Sequence, residues 1–120
     1  MKSNVPKIIP MTMIIGDKTY TLDYDRESIA YGEDVFGLRF KDVADLMNAP
    51  ATTIPNLFFL AFRKNHPEVT RDESDRIYTN ILKGLKREEM KRLCELYTAH
   101  INDLFFDEES SERKNVTISL

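Results

Sequence analysis

Several functions are excluded by what the sequence has little of. Its 120 residues contain one cysteine, Cys94. A lone thiol rules out an internal disulfide and a zinc site built from several cysteines. The four glycines are scattered, so no glycine-rich loop exists to cradle a phosphate. Basic residues are not in excess: 17 Lys and Arg stand against 20 Asp and Glu, a net charge of -3. A dedicated nucleic-acid binder usually carries the opposite balance. No apolar run approaches the roughly 20 residues of a bilayer-spanning helix. The N-terminal stretch "MKSNVPKIIPMTMIIGDK" begins like a signal peptide. Pro10 interrupts it, Asp17 and Lys18 end it, and no small-residue cleavage site follows, so the protein is expected inside the cell.

What is present reads as one domain. "MTMII" and "TYTL" flank Gly16 and Asp17, both turn formers, and Thr19 and Thr21 alternate with Tyr20 and Leu22. That pattern predicts a β-hairpin with a three-residue loop. A hairpin alone is marginal in water and needs helices over one face. Asp25 and Gly37 are spaced as the N-cap and C-terminal glycine of a first helix, with Gly32 either packing closely or breaking it. "KDVADLMN" predicts a short second helix with Phe40, Val43, Ala44 and Met47 on one stripe. "APATT" reads as a loop, and a third helix is expected from about Thr53, with Pro55 in its first turn.

This third helix is apolar nearly all round. Ile54, Leu57, Phe58 and Ala61 share one face, and Phe59 and Phe62 a second. After "NHP", Thr70 and Glu73 form a capping-box pattern opening a fourth helix. The inner face of that helix reads as Ile77, Tyr78, Ile81, Leu82 and Leu85, with Gly84 as terminator. Residues 87–106 form the fifth helix, with Met90, Leu93, Cys94, Tyr97, Ile101, Leu104 and Phe105 in helical rhythm. The fold class is therefore α+β, mostly α: an N-terminal β-hairpin followed by about five helices in one small helical cluster. Residues 1–106 make the globular domain, with residues 1–10 as a flexible arm. The segment "DEESSERKN" begins an acidic tail, residues 107–120, that reads as disordered. Its end, "VTISL", alternates apolar and polar residues as a strand does.

No catalytic constellation emerges. His66 lies in a turn, and His100 stands six residues after Cys94, off its helical face. Asp23, Asp25 and Glu27 are spaced like the start of a calcium loop, but Ser28 stands where an EF-hand needs glycine. A capped helix start explains these acids better. The sequence predicts no cofactor and no metal. A helix-turn-helix over the third and fourth helices would present "TRDESDR" to DNA, and Asp72, Glu73 and Asp75 would face phosphates. Those carboxylates suit the N-terminus of a helix instead. The expected core is Leu57, Phe58, Ala61, Ile77, Ile81, Leu93, Cys94 and Tyr97. Phe59, Phe62, Leu96 and Phe106 fall off these stripes and are the candidate partner-binding residues, because exposed apolar patches mark interaction sites.

The order "MIIGDKTYTLDYD", "RESIAYGEDVFG" and an aromatic helix closing in "FRKNHPEVTRDE" resembles the tail assembly chaperones of long-tailed bacteriophages and prophages. The likeness spans about residues 13–106 and rests on the "K-N-H-P-E-hydrophobic-T" turn between two helices. Gly32 and the tail depart from the usual pattern. The resemblance implies a non-enzymatic protein of the bacterial host cytoplasm, absent from the mature virion. Its partner would be the tail tape-measure protein, kept soluble until tail assembly, with self-association possible and neither nucleic acid nor membrane bound. A small helical adaptor or regulatory protein using one apolar face is the alternative, and a small DNA-binding factor the third reading.

Overall fold

A computed structural model describes residues 8–106. The expected tail, residues 107–120, and residues 1–7 of the expected arm lie outside the described residues. Two antiparallel strands, β1 (Met11–Ile15) and β2 (Lys18–Leu22), precede five α-helices: α1 (Arg26–Phe36), α2 (Phe40–Ala44), α3 (Pro50–Arg63), α4 (Arg71–Arg76) and α5 (Arg87–Phe105). The fold is α+β and mostly α, as the hydrophobic periodicity predicts.

The hairpin turn is shorter than expected. Ile15 pairs with Lys18, so the loop is Gly16 and Asp17 alone. Gly16 takes φ 66° while Asp17 does not adopt positive φ. This is the φ pattern of a type II′ turn, which needs glycine first and matches the twist of the strands. Met13, Ile15, Tyr20 and Leu22 point inward, and Thr12, Ile14 and Thr19 outward. Residues 8–10 of the expected arm make two contacts with the domain. Ile8 packs on the core, and the Arg92 guanidinium donates to the Ile9 carbonyl at 2.8 Å.

Helix α1 starts at a reciprocal cap. The Asp25 carboxylate accepts from the Ser28 amide, and the Ser28 hydroxyl accepts from the Asp25 amide. It ends at Gly37 in the left-handed region. Gly32 does not break it: a Cβ there would lie 2.5 Å from Cδ1 of the buried Leu60, so glycine lets α1 and α3 approach. Helix α3 starts earlier than expected because Pro50, not Thr53, opens it. A proline fits the first helical position, where its missing N–H would have no partner. Helix α2 stops at Ala44, so Met47 loses the predicted spacing and is exposed, as is Phe40. Thr70 caps α4 by accepting from the Glu73 amide. The chain then widens into a π-helical turn, Ile77–Ile81. The wider turn changes the angular step per residue, and Ile81 leaves the core to become 46% exposed. Cys94 is only half-buried.

Helix α3 is the centre. Every residue from Leu57 to Phe62 is buried. It packs against α1, α2, α4, α5 and β2. This overturns the expectation of a free second face. Phe62 is fully buried, with its ring 5.3 Å from Tyr20 and 5.0 Å from Phe58. Phe59 is buried too, 6.0 Å from Phe36 of α1. Leu96 of α5 is buried as well. The hairpin and the short helices supply more cover than a count of long helices suggests.

Phe58→Ala and Phe62→Ala should each cost about 3–5 kcal/mol, as for large buried aromatics. Phe106→Ala should stay within about 0.5 kcal/mol. Urea unfolding curves measure all three.

Candidate functional site

The stretch "KNHPE" after α3 gathers the chain's most specific polar contacts. Residues joined to a partner strand across an antiparallel pair alternate with residues whose N–H and C=O point away. Thr21 points its groups away from β1, and both are taken. Its amide donates to Nε2 of His66 at 2.9 Å. Its carbonyl accepts from the Asn65 side-chain amide at 3.3 Å. The Asp23 amide donates to the Ala61 carbonyl at 3.0 Å. Ala61 lies in the last turn of α3, where carbonyls lack helical partners. The end of a helix and the edge of a sheet thus satisfy each other.

The next residues bind the Asp23 side chain, which is 3% exposed. Lys64 Nζ reaches Oδ2 at 2.8 Å, and His100 Nε2 stands 2.7 Å from Oδ1. The Tyr24 amide donates to Oδ1 as well. Burial alone would push this carboxyl up. Lys64, the Tyr24 amide and His100 outweigh burial and hold it below the ordinary value. The cluster ties β2, α3 and α5 together through residues 41 and 77 positions from Asp23. Local spacing carries no signal of it.

His66 accepts at Nε2, so its proton rests on Nδ1, 3.7 Å from Glu68. Its ring meets Tyr20 edge-on at 5.0 Å. These are holding contacts. Burial, and secondarily Glu95, push the Cys94 thiol up to about 11, so it is a neutral thiol at neutral pH. Asp25 caps α1, as its reading as a helix start requires. Among the described residues no group of three or more His, Cys, Asp or Glu is placed to hold a metal. No helix there is long and apolar enough to cross a membrane.

The basic residues around the start of α4 and the end of α3 are engaged within the fold. Arg71 bonds Asp75 at 2.9 Å and Asn56 at 2.8 Å, and its guanidinium lies over Phe36. Arg63 lies over Tyr31 at 3.8 Å and bonds Glu27. Of the four predicted partner-binding residues, the structure buries Phe59, Phe62 and Leu96 and does not bring them to a common surface. Phe106 is 61% exposed at the end of α5, beside Phe105 at 46%. Arg26 of α1 sits over the Phe105 ring at 4.9 Å.

Fold and site define a small α+β domain whose hairpin is fastened to a central helix by a polar turn. The chain belongs to the family described as Domain of unknown function (DUF5055), which matches residues 5–120. No curated protein and no solved structure matches it.

Asp23→Asn should cost about 1.5–3 kcal/mol at neutral pH, the range for hydrogen bonds to a charged group. The folded carboxyl titrates below its unfolded value of about 3.9, so its contribution is complete above that pH and fades as pH falls through the folded value. The difference in stability between wild type and Asp23→Asn should therefore shrink below about pH 4. Denaturant melts across that range check it.

Proposed function

We propose that the protein is a non-enzymatic tail assembly chaperone of a long-tailed phage or prophage. It binds and solubilises the tail tape-measure protein in the host cytoplasm. The observation that carries this reading is the "FRKNHPEVTRDE" turn placed after a hairpin and an aromatic helix, the arrangement on which the resemblance rests. The turn has a demanding structural role. Lys64, Asn65 and His66 each contact the hairpin end. The net charge of -3 suits a protein that must keep an apolar client dissolved.

Client contact is assigned to exposed apolar side chains. The burial of Phe59, Phe62 and Leu96 removes them from that role. Phe105 and Phe106 form an adjacent aromatic pair, and Phe40 and Met47 add apolar area around α2. Contiguous exposed apolar area is what marks interaction sites on a protein surface.

Co-expression with a candidate tail tape-measure protein tests the reading. The wild-type chain should move the client from pellet to supernatant. The double variant Phe105→Ser, Phe106→Ser gives up the Arg26 contact on Phe105, so it should melt somewhat below wild type, stay folded at the assay temperature and leave the client in the pellet. A client equally insoluble with and without the wild-type chain contradicts the proposal.

A further inference from the structure

The sheet has two long edges, and the described residues bond only the one on β2, at Thr21. Thr21 faces away from β1 and is bonded by His66 and Asn65. Thr12 stands directly opposite Thr21, and Ile14 opposite Thr19. By the alternation of an antiparallel pair, the amides and carbonyls of Thr12 and Ile14 point out of the other edge. No described residue bonds them. Both residues are exposed, Ile14 at 71%. Exposed edges invite pairing, and natural proteins blunt them with charge, proline or a bulge. The five residues of β1, "MTMII", contain no charge and no proline, and the register runs unbroken from Met11 to Ile15.

We infer that the outer edge of β1 is a strand-acceptor site and that its occupant is the chain's own C-terminal segment, residues 116–120. The segment "VTISL" has the length of β1, five residues. Its alternation matches: Val116, Ile118 and Leu120 continue the inward row of Met11, Met13 and Ile15, and Thr117 and Ser119 continue the outward row of Thr12 and Ile14. The reach suffices. Arg92 contacts Ile9, just before β1. Phe106 lies fourteen residues further on, about 21 Å along the helix at 1.5 Å per residue. The nine residues "DEESSERKN" span up to about 30 Å when extended. A tether this short gives a local concentration of order millimolar, which favours the chain's own tail over a second copy. The family match also runs to residue 120, so the tail belongs to the shared domain rather than following it.

Amide hydrogen exchange followed by NMR tests this on the full chain and on a chain ending at Asn115, each at two concentrations. In the full chain the Thr12 and Ile14 amides should exchange at least about tenfold more slowly than in the truncated one, independently of concentration. Ile118→Pro, which removes a donor, should weaken that protection. Unprotected Thr12 and Ile14 amides in the full chain overturn the inference. So does protection that survives truncation, and protection that grows with concentration assigns the edge to a second copy instead. Should truncation prevent folding, through-space contacts between residue 118 and the Thr12–Ile14 backbone in the full chain decide: present supports the inference, absent refutes it.

Discussion

A two-stranded sheet cannot leave its polar edge against a hydrophobic core unpaired, and the solution to that constraint organises this molecule. An orphaned buried amide or carbonyl costs about 1–3 kcal/mol. The outer edge of β2 meets the C-terminal turn of α3, which has unsatisfied carbonyls of its own. Ala61 accepts from Asp23, and the turn that follows brings Asn65 and His66 onto Thr21. Once that edge is paired, Tyr20 and Leu22 lie on α3, with Phe62 under Tyr20. Tyr24 follows and donates its hydroxyl to the Leu57 carbonyl. The Asp23 carboxylate then draws in Lys64 and His100, and His100 fixes α5. Helix ends, strand edge and ion cluster are consequences of one docking geometry.

That geometry separates the apolar residues into two populations. A central helix surrounded on all sides absorbs Phe58, Phe59 and Phe62, so the aromatic content of α3 serves the core. What remains outside lies away from α3: Ile9 and Ile14 at β1, Val35 on α1, Phe40 and Met47 around α2, Ile81 after α4, and Phe105 and Phe106 at the end of α5. These positions are where a partner or a further piece of chain can be gained without disturbing the hub.

The elements were legible in the sequence because their signals are local. Asp25, Gly37, Thr70 and the apolar rhythm of α5 mark boundaries through chemistry acting within a turn or two. Failures came where tertiary context decided. The π-helical turn moves Ile81 outward, which no periodicity template anticipates. The stripes of α3 were sound, but which stripe is covered depends on where the hairpin and α1 pack. Asp23, Lys64 and His100 are far apart in sequence, and each alone resembles a surface residue. The turn "KNHPE" was legible as a motif, while its task, closing a strand edge, appears only when β2 lies beside it.

The most direct test of this account is native-state hydrogen exchange at the Thr21 and Asp23 amides. Both face the α3 side of the hairpin and have no ladder partner in β1. If the docking of residues 61–66 onto β2 holds the fold together, these two amides exchange only through global unfolding, with the same free energy as the slowest amides of α3 and α5. Exchange through a local opening of small cost, while α3 and α5 stay protected, would show that the hairpin is an appendage and that the helices stand without it.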